Sequence, residues 1–466
     1  MEQTYGVSKP TRAAITLPIS ILLGLFVFYC WMFLKYRPFE IDNPWFLSFS
    51  YDTFVEHLTN DQFMNVRFPS GMDGTRLFGR LAAALQYVAF SPIGWRQWPA
   101  VILPAAMVTA SLGFWWLQLA KLGYSRRFIV CFVLVAGFSE PYISTANKFR
   151  FEFFSATLIA AGLLLVARGR PMLGVFLAAL AVETEPTAIA GMIPVLLLAG
   201  TVGKVNRQLF AKLALSLFGA ATVYLSLHPD IFQIAATLGH AQAAKTGFDG
   251  GYFRSYFVER NRHLPELLLF VIAAIVYYRR RRRIASHYLG WSALAMTIFS
   301  FLMPHGNVAY MIFSYPLLIG MTLEAFAAER RPWLLAVCGL GLFLPQQMYL
   351  VLINWNRGYS SADMARITKA IDGAARTQGI SDDTLRVYGD YRLWFAHPHF
   401  YRSAAESTAV DAANADLYLC YDTPPEPPSM EPKTLFYCPQ LKRMLPLRQI
   451  DSLTIRNNRV FLYSRQ

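Results

Sequence analysis

Apolar segments of membrane-crossing length recur along most of this chain, from Ala13 to Leu352. An α-helix of about 20 apolar residues spans the ~30 Å of hydrocarbon in a bilayer. The 466 residues are 55% hydrophobic and 15% charged, whereas ordinary soluble domains carry roughly 25% charged residues. The segments therefore predict an α-helical polytopic membrane protein with about eleven transmembrane helices and additional interfacial helices.

Basic residues lie mainly in short loops between the apolar segments, and this pattern predicts the orientation of the chain. Arg126 and Arg127 are examples, as is the run from Arg279 to Arg283. Short loops rich in Lys and Arg stay on the cytoplasmic side of a membrane. The pattern places the N-terminus in the cytoplasm, and it explains the net charge of +14 without a nucleic-acid partner.

Composition divides the chain into two regions. Residues 1–353 carry the apolar segments and are expected to form a transmembrane domain, with an outer loop of juxtamembrane helices at 35–98. Residues 354–466 are more polar, and the spacing from Ala362 to Thr377 predicts an amphipathic helix, with β-rich stretches after it. We expect this region to form a small α/β domain outside the cytoplasm.

Two of the five cysteines, Cys420 and Cys438, lie in this polar C-terminal region. A compartment outside the cytoplasm would permit a disulfide between them. The other three cysteines lie within apolar segments, where packing is the simplest explanation for them.

An acidic pair, Glu40 and Asp42, follows the first apolar segment directly. Carboxylates are costly in apolar surroundings, so their position at a membrane surface indicates function. A carboxylate there could act as a general base, and the pair could hold a divalent cation (Mg²⁺, Mn²⁺ or Ca²⁺) through oxygen ligands. Two alternatives stay open: simple solvation of a helix end, or an N-cap formed by Asp42.

Further polar groups are predicted to reach the same outer face of the membrane. They are Glu140, Lys148, Arg150 and Glu152; Glu183 and Glu185; His240, Lys245, Arg254, Glu259, Arg260 and Arg262; and His305, Asn307 and Tyr310. The arginines suit an anionic lipid headgroup, because guanidinium can donate two hydrogen bonds to one phosphate. Simpler interpretations stay open: a local Arg150–Glu152 ion pair, a solvated turn at Glu183 and Glu185, exposed loop cations, and a helix cap at His305.

These features together resemble the GT-C class of membrane glycosyltransferases. The resemblance rests on the acidic pair after the first span, on the juxtamembrane helices of the outer loop, and on Arg150-Phe151-Glu152 near the outer end of a later span. It also rests on the Thr184-Glu185-Pro186 turn, in which members of the class often have lysine where Glu185 stands. The start of a late span, from His305 to Tyr310, is similar as well.

The resemblance implies a reaction and a role for each matching residue. Enzymes of this class take a sugar from a polyprenyl-phosphate carrier. Asp42 would be the general base, and Glu40 and Glu152 would support it or help to hold a metal. The donor phosphate would be bound by Lys148, Arg150, Arg254, Arg260 and Arg262. The remaining contacts to substrate would come from Glu185, His305, Asn307 and Tyr310.

We therefore expect a membrane glycosyltransferase that moves the sugar to a glycan, lipid or protein acceptor on the outer side, with inversion because attack is direct. The membrane is expected to be a bacterial inner membrane with the C-terminal domain in the periplasm, since the outer region lacks an Asn-x-Ser/Thr site. One alternative is a lipid-linked glycan ligase or polymerase. Another is a lipid or sugar transporter or flippase, which would place charges deep within spans.

Overall fold

The computed structural model describes residues 12–36, 42–55, 57, 79–147, 150–203, 206–229, 231–232, 254, 257, 263–280, 288–302, 310–327, 361–381, 384–389, 394, 415–421, 438–455 and 458–465. The helices are α1 (Arg12–Tyr36), α2 (Asp42–Phe54), α3 (Arg80–Phe90), α4 (Gln97–Lys121), α5 (Arg126–Gly137), α6 (Glu140–Asn147), α7 (Glu152–Ala167), α8 (Pro171–Thr184), α9 (Met192–Val202), α10 (Arg207–Leu227), α11 (Leu264–Arg280), α12 (Tyr288–Leu302), α13 (Met311–Ala327), α14 (Ser361–Gln378) and α15 (Cys438–Met444). A 3₁₀ helix, Pro186–Gly191, connects α8 to α9.

Length and apolar composition qualify two described helices to cross a membrane. They are Trp98–Lys121, within α4, and Arg207–Leu227, which is α10. The bent pair α5 and α6 would make a third if both lie in one span, and five further apolar helices are shorter. The last predicted span, from Trp333 to Leu352, lies outside the described residues, so the total of about eleven spans stays a prediction.

The structure breaks the span that the sequence predicts from Phe128 to Ser144. Helix α5 ends at Gly137, and α6 departs from it at an angle of 60°. Pro141 lies in the first turn of α6. Proline has no N–H, and its ring would clash with the carbonyl group four residues earlier in a continuous helix. Pro141 therefore gives the break a local cause. The chain then continues from α6 to Arg150, three positions after the end of this helix.

Two glycines bring the backbones of α7 and α8 into direct contact. A Cβ atom placed on Gly162 would lie 2.6 Å from the carbonyl oxygen of Gly174, and one on Gly174 would lie 2.5 Å from the carbonyl oxygen of Gly162. Small residues allow such close approach between apolar helices in a membrane. The contact holds α7 and α8 close together near the connection that joins them.

The described strands form one small sheet in the C-terminal region, in the order β1-β2-β4-β3. The strands are β1 (Val387–Tyr388), β2 (Leu417–Tyr421), β3 (Leu447–Ile455) and β4 (Asn458–Arg465). β1 and β2 are parallel, whereas β4 is antiparallel to both β2 and β3. A disulfide joins Cys420 on β2 to Cys438 at the start of α15. The predicted amphipathic helix from Ala362 to Thr377 is present as α14.

The C-terminal region packs against α2. The rings of Tyr51 and Trp394 meet edge to face with their centroids 5.8 Å apart, and Trp394 is fully buried. A single buried hydrophobic cluster continues from the helices to Val387 and Leu417 in the sheet. This contact links the sheet directly to the helix that begins at Asp42, while the predicted domain boundary at 353/354 stays a prediction.

We expect Gly174→Ala to destabilise the protein, because its new methyl group would overlap the Gly162 carbonyl group. Overpacking of this kind typically costs about 1–3 kcal/mol of unfolding free energy. The thermal unfolding midpoint of the purified protein in detergent measures the effect. The matched control is Gly200→Ala on α9, where a Cβ atom meets nothing within 4 Å. Equal shifts for the two variants would contradict the proposed close contact.

Candidate active site

An ion pair stands at the start of α7. The Nε atom of Arg150 lies 2.8 Å from Oε1 of Glu152, the first residue of the helix. The Glu152 side chain is 0% exposed, whereas that of Arg150 keeps 13% of its surface accessible. A carboxylate in the first turn also interacts favourably with the helix dipole. Glu152 is therefore placed to hold the guanidinium, and within the pair the Arg150 side chain is the one that keeps accessible surface.

Glu185 lies in the turn between α8 and the 3₁₀ helix, outside both apolar helices, and it is buried. Its Oε1 atom accepts hydrogen bonds from the Thr187 hydroxyl at 3.0 Å and from the Thr187 N–H at 3.4 Å. The pKa of Glu185 is raised to about 8, mainly by burial and also by the Glu152 carboxylate, while Arg150 and the hydrogen bonds from Thr187 oppose the rise. Glu185 is thus mainly a neutral carboxylic acid at pH 7.

Tyr310, the residue just before α13, lies next to Arg150. The guanidinium carbon of Arg150 lies 6.0 Å from the centroid of its ring, within the range of a cation–π contact. Burial raises the pKa of Tyr310 well above its usual value, and the nearby Glu185 and Glu152 carboxylates add to that shift. The phenol therefore stays protonated and can donate a hydrogen bond. We call Arg150, Glu152, Glu185 and Tyr310 the Arg150 group.

Helices α2 and α3 pack side by side and run in the same direction. The Ser50 hydroxyl donates a hydrogen bond to the Ala83 carbonyl oxygen at 2.6 Å, and four residues later the rings of Phe54 and Tyr87 stack at 5.1 Å. From the first contact to the second, each helix advances by four residues, about one turn, in its own chain direction. The two helices therefore run parallel. The backbone of Asp42, at the start of α2, consequently lies toward the same end of the pair as the start of α3.

Gly79 brings the start of α3 against the Arg150 group. Its φ of 89° is in the left-handed region that favours glycine. A Cβ atom at this position would overlap the ring of Phe151, the residue between Arg150 and Glu152. The start of α3 therefore lies against the residue between Arg150 and Glu152.

Glu183 fixes this arrangement from α8. Its carboxylate accepts hydrogen bonds from the N–H groups of Arg80 at 2.8 Å and Leu81 at 3.1 Å, and so caps α3 where Gly79 has no side chain to do so. Nε2 of His228, after the end of α10, lies 2.9 Å from the same carboxylate. One buried side chain thus joins α3, α8 and α10. The simpler alternative of a solvated turn at Glu183 and Glu185 is wrong, since both residues are buried.

The structure brings together four of the predicted site residues. Arg150, Glu152, Glu185 and Tyr310 form the Arg150 group, and the predicted Arg150–Glu152 ion pair is present. Arg254 is exposed. Glu40, Lys148, Arg260, Arg262, His305 and Asn307 lie outside the described residues, and for Asp42 the backbone position alone is described.

No metal site is evident among the described residues, in which no cluster of three or more His, Cys, Asp or Glu side chains suits a metal ion. The predicted pair for a cation includes Glu40, which lies outside them. A divalent cation held by Glu40 and Asp42 therefore stays a prediction, and no step below depends on it.

Sequence reasoning missed the role of the two buried histidines that follow α10 and precede α11, His228 and His263. Each meets carboxylates more than 40 residues distant in the chain, Glu183 and Glu140 respectively. A possible signal was their position, because both lie at the end of an apolar segment next to a long polar loop. The carboxylate partners could not be read from spacing.

The fold is that of a known class of membrane enzymes. The solved structures that this chain resembles are glycosyltransferases of the GT-C class, so the resemblance inferred from the motifs is confirmed at the level of the fold.

The structures in question are two crystal structures of ArnT from Cupriavidus metallidurans. The one bound to undecaprenyl phosphate has 13% sequence identity and a TM-score of 0.60, and the alignment covers 97% of this chain and 98% of that one. The apo structure has 14% identity and a TM-score of 0.57 over the same shares of each chain. No family model matches the chain, and no curated protein sequence matches it.

Ionisation of Glu185 should make stability depend on pH. An unfolded glutamate ionises near pH 4.5 and folded Glu185 near pH 8, so between these values the folded protein binds the extra proton. Stability contributed by this residue therefore falls as pH rises from about 4.5 to 8. Glu185→Gln cannot ionise at this position, so its stability lacks this decrease. The unfolding midpoint of the variant should therefore rise relative to that of the wild type as pH increases from about 4.5 to 8. A constant difference between the two midpoints from pH 5 to 8 would contradict the shift.

Proposed function

We propose that this protein is a membrane glycosyltransferase that takes a sugar from a polyprenyl-phosphate carrier. The observation that carries the proposal is the Arg150 group: a partly accessible arginine side chain whose guanidinium is held by a buried carboxylate and flanked by a neutral acid and a phenol. The fold it shares with ArnT, which has been crystallised with undecaprenyl phosphate, gives independent support.

Charge balance explains how a phosphate could bind at the Arg150 group. The positive charge of Arg150 is matched by Glu152, while Glu185 and Tyr310 are neutral. A protonated Glu185 adds no negative charge where members of the class often have lysine, and it can donate a hydrogen bond instead. The guanidinium can then donate to phosphate oxygens, and Tyr310 can donate from the side. Because Glu152 is buried, its role is to orient Arg150.

In the proposed reaction the acceptor hydroxyl attacks the anomeric carbon of the donor sugar. The new bond joins the acceptor oxygen to that carbon, and the carbon–oxygen bond to the lipid phosphate breaks with its electron pair left on the phosphate. Asp42 takes the proton of the hydroxyl. Arg150 stabilises the charge that develops on the leaving phosphate, so the phosphate leaves without being protonated. Direct attack inverts the anomeric centre.

The proposed location is the outer side of a bacterial inner membrane. The Cys420–Cys438 disulfide supports an oxidising compartment for the C-terminal region, since disulfides are rare in the cytosol. With the sheet outside, the contact between Trp394 and Tyr51 would carry the C-terminal region to the helix that starts at Asp42. An acceptor glycan, lipid or protein would approach between them from the outer side.

Asp42→Asn tests the general base. Removing the base should lower the rate of polyprenyl phosphate release by about 10²- to 10⁴-fold, with little change in the KM for the donor. The assay uses purified protein with a panel of polyprenyl-phosphate sugars, with and without a chelator. Asp451→Asn, on the exposed strand β3, is the matched control. Equal release by wild type and Asp42→Asn would exclude Asp42 and direct attention to Glu40.

Arg150→Ala tests the phosphate site. Loss of one positioned donor to a developing anion typically costs about 10²- to 10³-fold in rate, so we expect a loss of that size in kcat/KM. Arg150→Lys should recover only part of it, because lysine lacks the planar two-donor fork. Arg127→Ala, at the exposed start of α5, is the control. Unchanged kcat/KM in Arg150→Ala would remove the observation on which the proposed function rests.

A further inference from the structure

A second buried polar group lies among α6, α11 and α13. His263, just before α11, has a side chain that is 0% exposed. Its Nδ1 atom lies 3.1 Å from Oε1 of Glu266, and its Nε2 atom lies 3.1 Å from Oε2 of Glu140. The hydroxyl group of Tyr315 donates a hydrogen bond to the other oxygen of Glu266. We call Glu140, His263 and Glu266 the His263 group.

The geometry of this group favours a charged imidazole ring. A neutral imidazole has one N–H and one lone pair, and an ionised carboxylate can only accept hydrogen bonds. With carboxylate oxygens beside both nitrogens, a lone pair on either one would face a negative charge. Burial lowers the pKa of His263, but the hydrogen bonds and charges of Glu140 and Glu266 outweigh it, so that the pKa is raised overall.

Two of the elements that meet at His263 are next to residues of the Arg150 group in the chain. Glu140 is the first residue of α6, which ends at Asn147, three positions before Arg150. Tyr315 lies on α13, which begins directly after Tyr310. The titratable groups that face His263 include Glu140 from α6 and Glu266 from α11, with Tyr315 from α13 joined through Glu266.

We propose that His263 is a positioning residue for the transfer reaction: its imidazolium ties α6 to α13 through Glu140, Glu266 and Tyr315, and so keeps Tyr310 against Arg150. This role rests on the proposed function, since Arg150 is the cation that would bind the donor phosphate. It predicts that loss of the imidazolium displaces the phosphate site while the general base at Asp42 stays in place.

His263→Gln separates this role from simple packing. Glutamine is neutral, so the two carboxylates would face each other without a cation between them. We expect the KM for the polyprenyl-phosphate sugar to rise about tenfold or more, as for loss of a hydrogen bond to a charged group, and kcat to change much less. His57→Gln, at an exposed position, is the control.

Rescue by a second substitution makes the test specific. In His263→Gln/Glu140→Gln one carboxylate is removed, so the repulsion is relieved and two amides can pair. We expect the double variant to recover most of the lost donor KM. A normal donor KM in His263→Gln, with a lower unfolding midpoint alone, would reduce His263 to a packing residue. A double variant no better than the single one would overturn the charge argument.

The pH dependence of stability tests the imidazolium independently of activity. A raised pKa means that His263 stabilises the fold fully below about pH 6.5, where the unfolded histidine is also protonated. That contribution is lost as pH rises through the folded pKa. The difference in unfolding midpoint between wild type and His263→Gln should therefore shrink toward alkaline pH. A difference that stays constant with pH would contradict the conclusion that His263 is protonated in the folded protein. If the wild type transfers no sugar, the proposed function and the positioning role fail together, and this measurement still decides the charge state.

Discussion

Buried charge has to be compensated, and the candidate site depends on how this chain does it. Glu152 is paired with Arg150, and Glu183 accepts hydrogen bonds from the start of α3 and from His228. Glu185, which has a second carboxylate beside it, is compensated by staying protonated. An unpaired carboxylate in such surroundings would cost several kcal/mol. The partners therefore fix the ends of α3, α7 and α8 relative to one another, and those ends surround the proposed phosphate site.

Hydropathy predicts the long helices well, because their position depends on local composition alone. The apolar segments from Pro99 to Ala120 and from Phe210 to Leu227, for example, correspond to α4 and α10. Hydropathy does not detect breaks in a helix. The bend after Gly137 is indicated instead by Pro141, which acts on the backbone and not through its hydrophobicity. Strand β3 is hard to predict from the sequence. It is an edge strand, most of its residues are exposed, and it lacks the apolar alternation that marks a half-buried strand.

The site was predictable in part. Arg150 and Glu152 stand two residues apart, so a pair between them can be read from the sequence. The cap on α3 by Glu183, about a hundred residues away, and the contact of Glu140 with His263 arise from the packing of distant helices. No spacing rule encodes such contacts. The protonated state of Glu185 was equally hidden, since it depends on burial and on the neighbouring carboxylate rather than on residue type.

A structure of the protein with bound polyprenyl phosphate is the most direct test of the account. We expect the phosphate at the Arg150 group, with its oxygens about 3 Å from the guanidinium and the Tyr310 hydroxyl. We also expect the Asp42 carboxylate to face the same space, on the side where an acceptor would enter. A phosphate bound elsewhere, with the Arg150–Glu152 pair enclosed and out of its reach, would contradict the central claim.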